Sequence, residues 1–269
     1  MNGTSVRIFL TRHGETEWNV EGRWQGQSDS RLTQRGVEQA LKLAEALAGE
    51  PLAAVYSSDL GRALETARYV AAPHGLEPIP DRRLREMDTG LWTARLGTEI
   101  RAEYPAEMET WKLRPWAHRM PRGESLAEVQ GRGLAFFVDR VPRHPGEAIA
   151  VVSHGAVTQT VLAHAMGRPL TDLWLGRFEN CQISRLEWTP SAGLELVELC
   201  DVRHLEEVGA LKGWRTVDAD PVEGEMSGPT RPHGSALGTV DSNAAESLGT
   251  TPPLAAAWNV DSDAAGSLD

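Results

Sequence analysis

The chain has 269 residues, 41% of them apolar and 24% charged, which fits a globular protein with a substantial core. Its net charge of −11 is uneven: eight acids and one base lie from Ala219 onward, leaving 30 acids and 26 bases before it, a near balance that argues against a broad nucleic-acid surface. The first apolar run is short and broken by Arg7, unlike a secretory leader. No stretch nears the roughly 20 apolar residues of a membrane span, and the two cysteines, Cys181 and Cys200, fit a reduced cytoplasm and offer no metal framework.

Residues 6–10, Val6-Arg7-Ile8-Phe9-Leu10, read as a strand. It delivers Thr11-Arg12-His13-Gly14 to a fixed point. Arg12 offers a planar fork of donors suited to phosphate. His13 can act as nucleophile, acid or base near neutral pH. Gly14 removes a side chain where a ligand could approach the backbone. A polar, glycine-rich loop is expected over residues 14–31, long enough to be functional. Thr33 is placed to cap a helix with an apolar stripe of Val37, Ala40, Leu41, Ala44 and Leu47, ending at Gly49.

Residues 53–56 form a short buried strand. The helix expected over 60–72 takes Ser58 or Asp59 as its cap and carries Arg62 in its first turn. A cation there opposes the helix dipole, and a bound anion relieves the conflict. Residues 76–80 read as another strand. Residues 84–92 read as a loop, with Glu86 between the apolar Leu84 and Met87. The segment 98–119 looks helical but is broken by Pro105 and Pro115, and it carries Trp111 and Trp116. A turn at Pro121-Arg122-Gly123-Glu124-Ser125 leads into a helix over 125–141.

Residues 148–152 make the strongest buried strand. It ends in Ser153-His154-Gly155 and runs into a helix through Met166, repeating the opening pattern of strand, then His-Gly. In open parallel sheets, ligands sit beyond the carboxyl ends of the strands. Residues 181–188 and 194–200 read as a hairpin that sets Cys181 opposite Cys200, expected as buried free thiols. From residue 217 the composition shifts to Gly, Pro, Ser, Thr, Ala and acids. An imperfect repeat over 240–248 returns at 260–268, two copies being too few for a solenoid. The expected organisation is one domain over 1–216 and a disordered acidic tail over 217–269.

These strand ends and helix starts bring Arg12, His13, Arg62, Glu86 and His154 into one chemistry. Two arginines suit the oxygens of a phosphate. One histidine can take a phosphoryl group onto a ring nitrogen, and the other can donate a hydrogen bond to it. Glu86 can protonate a leaving alkoxide and then activate water. The arginines beside His13 should keep it neutral, as a nucleophile requires.

Several stretches, taken together, resemble the histidine phosphatase superfamily, in its phosphoglycerate-mutase-like branch. They are Thr11-Arg12-His13-Gly14-Glu15-Thr16 with Trp18-Asn19, and Gly22-Arg23-Trp24-Gln25-Gly26 through Asp29 to Leu32-Thr33. Further on come Ser57-Ser58-Asp59-Leu60-Gly61-Arg62-Ala63, Leu84-Arg85-Glu86-Met87-Asp88 and Val152-Ser153-His154-Gly155. The resemblance spans about residues 5–200. It implies an α/β fold, a mostly parallel sheet flanked by helices on both faces. It implies His13 as the phosphorylated nucleophile and Glu86 as the proton donor. Arg12, Arg62 and His154 complete the phosphate pocket, and Asn19, Gln25 and Gly26 face the substrate. No metal and no cofactor are implied. Two departures stand out: Thr93-Ala94 follow Trp92 where the family commonly has Glu-Gly, and Thr89 stands where an aromatic is common.

The mutase branch carries a longer insertion after the acid, with added basic residues. Here the stretch 93–121 is short and its bases are scattered, and Gln25-Gly26 with the Gly123-Glu124-Ser125 turn look like the phosphatase branch. The expected activity is metal-independent hydrolysis of a small phosphorylated metabolite through phosphohistidine, in the cytoplasm, with no nucleic-acid or membrane partner. The alternatives are a phosphoglycerate mutase and a catalytically weak binding module.

Overall fold

Four parallel strands and an antiparallel hairpin form one six-stranded sheet in the computed structural model, which describes residues 5–172 and 178–208. The strands are β1 (Val6–Arg12), β2 (Leu52–Ser57), β3 (Ile79–Pro80), β4 (Ala148–Ser153), β5 (Ile183–Thr189) and β6 (Gly193–Asp201), in the order β3-β2-β4-β1-β5-β6. β4 lies between β1 and β2 and is buried at all six positions, which is why its sequence is an unbroken apolar run. The sheet is mostly parallel, as the sequence implies, and its helices lie on both faces.

Side-chain alternation along β2 separates the faces. Val55 joins Phe9, Leu43, Leu47, Ala67 and Val70 in a core under α2 (Gln34–Leu47) and α3 (Gly61–Ala71). The next residue, Tyr56, packs its ring 5.3 Å from that of Phe136 on α6 (Leu126–Arg140), which lies against α7 (Gly155–Ala165). The remaining helices are short: α1 (Glu17–Glu21), α4 (Gly97–Glu103) and α5 (Pro105–Leu113). Pro105 opens α5 at its first turn, where its missing N–H costs nothing. Among the described residues no helix is long and apolar enough to cross a membrane.

Register matters most for function. Arg12 pairs with Ser153 and Ser57 with Val152, so three parallel strands end level. The chain leaves them at His13, His154 and Ser58, and the His13 amide still donates to the Ser153 carbonyl at 3.0 Å.

Several expectations are corrected. The loop over 14–31 contains α1, closed by a capping box between Thr16 and Asn19 that a glycine-rich composition hides. The buried arc of α2 runs through Gly36, Gln39, Ala40, Leu43, Ala44 and Leu47, while Leu41 is 46% exposed. The expected strand over 76–80 shrinks to Ile79–Pro80, at the sheet edge where proline is tolerated. Gly14 is small for a different reason than expected: a Cβ there would sit 2.4 Å from the carbonyl oxygen of Gly36, so α2 and not a ligand makes the close approach. Cys181 and Cys200 are free and buried, at the base of the hairpin. The domain boundary at 216, the tail and its repeat lie outside the described residues.

Candidate active site

Beyond the level strand ends lies a cavity of about 290 Å³. Arg12, His13, Asn19, Gln25, Gly26, Arg62 and Glu86 all line it. His154 stands directly behind, its ring 5.1 Å from that of His13. The structure thus brings every sequence-predicted site residue together.

His13 is buried, and its Nδ1–H donates to the Gly14 carbonyl at 2.7 Å. A carbonyl can only accept, so this contact fixes the tautomer of a neutral ring and leaves the lone pair on Nε2. Arg62 Nε–H points at that nitrogen from 3.3 Å. Burial first, then the charges of Arg62 and Arg12, hold His13 well below the ordinary imidazole range. His154 is lowered in the same way, by burial first and Arg62 next. Neither ring nitrogen of His154 has a hydrogen-bond partner among the described residues. A neutral ring has one N–H to donate, and His154 keeps it uncommitted among the described residues.

Arg62 enters from the first turn of α3 and is 2% exposed. Three more of its five donors go to the Gly26 carbonyl at 2.9 Å, the Ser28 carbonyl at 2.7 Å and Asp29 Oδ1 at 3.0 Å. Asp29 Oδ2 also accepts from the Gly61 amide at 2.7 Å. This corrects the expected cap. Asp29, reaching in from the loop between α1 and α2, supplies the anion at the start of α3, while Asp59 pairs with Arg85 at 2.6 Å. One carboxylate thereby resolves the conflict between Arg62 and the helix dipole. Arg12 Nη1 donates to the Phe178 carbonyl at 2.9 Å.

Glu86 is held by one oxygen. Its Oε1 accepts from the Met87 amide at 2.8 Å and from the Ala156 amide, in the first turn of α7, at 3.1 Å. Its Oε2 has no hydrogen bond among the described residues and lies 3.6 Å from where a Cβ on Gly155, a cavity residue, would sit. Fixing one oxygen orients the other toward a ligand.

The predicted substrate residues divide. Asn19 uses its Oδ1 in the α1 capping box, accepting from the Thr16 amide at 3.1 Å. Gln25 is engaged at both ends of its amide, donating to Thr16 Oγ1 at 2.8 Å and accepting from Ser30 Oγ at 3.2 Å. Gly26 has φ +52°, and a Cβ there would meet Thr89 Oγ1 at 2.4 Å, so only glycine fits.

The far side of the cavity is apolar: Trp24, Met87, Trp111, Pro115 and Leu126. Trp24 and Trp111 meet edge to face, 5.6 Å apart. Trp116 does not line the cavity. Arg23 lies at the rim with its guanidinium bonded to Glu21 and, at 2.8 Å, to the Ala94 carbonyl. The departures from the family pattern form their own contacts. The hydroxyls of Thr89 and Thr93 are 2.8 Å apart, and Ala94, at φ +65°, donates its amide to the Trp24 carbonyl at 2.7 Å.

Sequence reasoning missed the residues that hold these groups in place. Asn180 donates to the His13 carbonyl at 2.8 Å, and Thr66 accepts from the Gly14 amide at 3.0 Å. Asp29 lies 33 residues from Arg62, and Arg132 lies 46 residues from Glu86. Asp29 lay within a stretch that carries the family resemblance, and the Gly123-Glu124-Ser125 turn carried a signal too, but neither was assigned a partner.

The model of the histidine phosphatase superfamily (branch 1) matches residues 8–201. Phosphoserine phosphatase 1 of Hydrogenobacter thermophilus is 36% identical over 179 residues, 66% of this chain and 85% of that protein. A probable phosphoglycerate mutase GpmB of an Enterobacter species is 36% identical over 205 residues, 75% of this chain and 95% of that protein. Among solved structures, Bacillus stearothermophilus YhfR superposes with a TM-score of 0.72 at 36% identity, covering 74% of this chain and 99% of that one.

Proposed function

The chain belongs to branch 1 of the histidine phosphatase superfamily, and from that membership we propose that it hydrolyses small phosphomonoesters through a phosphohistidine formed on Nε2 of His13. The observation that carries this reading is the pinned tautomer of a cavity-lining ring: Nδ1–H on the Gly14 carbonyl, the lone pair on Nε2 where Arg62 Nε–H meets it, and burial with two arginines keeping the ring neutral. Phosphatase names among the relatives support hydrolysis.

In the first step the Nε2 lone pair attacks phosphorus and the P–O ester bond breaks. The departing oxygen keeps the bonding pair and takes a proton from Glu86. In the second, ionised Glu86 removes a proton from water, the water oxygen attacks phosphorus, and the N–P bond breaks with its pair returning to Nε2. Alcohol and phosphate leave, and Glu86 is protonated again. Arg12 and Arg62 offset the charge on the phosphoryl oxygens, with His154 and Asn19 as further donors. These groups supply the positive charge that a metal provides in other phosphatases, so we assign a metal-independent reaction. Two free buried thiols suit a reducing cytoplasm.

The apolar wall narrows the substrate. A leaving group against Trp24, Trp111, Pro115 and Leu126 is best matched by a flat or aliphatic alcohol. A carboxylate there would meet mainly apolar side chains, with Arg23 the nearest cation named on that wall and its charge already paired with Glu21. This favours hydrolysis over the mutase reading that the GpmB similarity supports.

The test is direct. Wild type incubated with p-nitrophenyl phosphate and quenched in alkali should carry acid-labile phosphate on His13. His13→Ala should carry none and release no phosphate, and EDTA should leave the wild-type rate unchanged. With 3-phosphoglycerate and the bisphosphate, little 2-phosphoglycerate should form. Efficient mutase turnover, or activity surviving in His13→Ala, overturns the reading. A wild type that binds phosphate analogues but never forms phosphohistidine is a binding module.

A further inference from the structure

We propose that Arg132 and Glu124 are positioning residues that hold Glu86 in line as the proton donor; the inference rests on the assignment of Glu86 as the acid.

The acid sits on a stretch without a sheet ladder. Residues 82–92 hold only two short 3₁₀ turns, Arg82–Leu84 and Gly90–Trp92. Nothing regular fixes the intervening backbone, yet a general acid must lie within a hydrogen-bond length of its target. Arg132, on α6, supplies the missing order. It donates through Nη1 to the carbonyls of Arg83, at 2.8 Å, and Arg85, and through Nη2 to the carbonyl of Glu86 itself at 3.0 Å. Gln27 shares that last carbonyl at 3.2 Å, and Ser153 Oγ takes the carbonyl of Leu84 at 2.8 Å. The carbonyls of residues 83–86 are therefore all held.

The other two Arg132 donors meet Glu124 in a fork, Nε to Oε1 at 2.9 Å and Nη2 to Oε2 at 3.0 Å. Glu124 Oε2 also accepts from the Asp88 amide at 2.8 Å, and the Glu124 amide donates to the Asp88 carbonyl at 2.9 Å. The pair thus grips the chain on both sides of the acid, carbonyls before it and an amide after it. Arg132 spends all five of its donors this way. A lysine, with a point charge and three donors, cannot span the same set.

A structural role alone would slow every substrate alike. A positioning role for the acid slows only substrates whose leaving group needs a proton. The experiment compares kcat/KM, which reports all steps through departure of the leaving group, for p-nitrophenyl phosphate and for glycerol 3-phosphate. The nitrophenolate leaves without a proton; the glycerol alkoxide does not. Glu86→Gln sets the full difference, of order 10² to 10⁴ on the alkyl phosphate. Arg132→Met should lower the alkyl phosphate value by about 10- to 100-fold and the nitrophenyl value by less than about threefold. Glu124→Gln should move in the same direction, and it decides the matter if Arg132→Met does not fold. Arg132→Lys should behave like Arg132→Met, and guanidinium ion should restore part of the alkyl phosphate rate to Arg132→Ala. Equal losses on both substrates, with Glu86→Gln still discriminating, overturn the positioning role. If Glu86→Gln itself does not discriminate, the acid assignment falls, and this inference with it.

Discussion

Arg62 makes four contacts with one guanidinium, a set that no other side chain among the described residues makes. It faces the His13 lone pair, fixes the Gly26 and Ser28 carbonyls, and pairs with Asp29. Arg62→Lys keeps the charge but loses the fork. Removing one preorganised donor to a transition state costs about 10² to 10³ in rate. A drop of that size in kcat with p-nitrophenyl phosphate is expected, and a loss below about tenfold argues that charge alone suffices. At this scale the sequence was most informative where chemistry sits next to a strand end. His13 and His154 could be read as a pair because each follows an apolar run and precedes glycine. Asp29, Asn180 and Arg132 could not. They act through contacts made only after the chain has folded back, and a lone Asp, Asn or Arg has an ordinary surface reading.

At the scale of elements, the strands and most helices were legible because burial writes a period into the sequence. β4 is apolar throughout because both its faces are covered, and α6 and α7 have clear starts at Ser125 and His154. The misreadings have local causes. α1 is five residues long and is closed by side-chain hydrogen bonds, so no apolar stripe marks it. Leu41 lies just off the buried arc of α2, where one residue rotates the helix surface by 100°. The Trp92–Leu96 turn holds one of four described non-glycine residues at positive φ. Ala94 holds φ +65°, a conformation in which its Cβ costs about 1–2 kcal/mol. Ala94→Gly should raise Tm by roughly 2–8 °C, read by calorimetry, since about 1 kcal/mol shifts a domain of this size by about 2–4 °C. An unchanged or lower Tm means that the lost packing outweighs the relieved strain.

Across the molecule, five described histidines share one electrostatic condition. His13, His118, His154, His164 and His204 are all held below the ordinary imidazole range, with burial the first cause in each. The unfolded chain binds these protons near pH 6.5, whereas the folded chain resists them to lower pH. Folded stability from this source is therefore complete above about pH 6.5 and is lost as pH falls through it. The carboxylates of Asp59 and Asp81, lowered chiefly by the Arg85 hydrogen bond and by the Arg83 contacts against burial, lose their contribution only below about pH 4. Tm should therefore fall between about pH 7 and 5, before the carboxylates titrate. His118 stacks on Trp92 at 5.3 Å, so His118→Phe keeps the stack and should remove one share of that slope, leaving the other four. A Tm that is level across the window contradicts the shared burial of these rings.

The grip of Arg62 on Gly26, Ser28 and Asp29 has a consequence for how such a molecule can diversify. Three anchors within four residues make that span a fixed-length ruler, and an insertion or deletion inside it would pull the guanidinium off His13. Residues 97–117 reach the cavity only through the apolar Trp111 and Pro115. On the proposed reading, a change in the length or composition of this segment would alter the apolar wall and leave the Arg62 anchors in place.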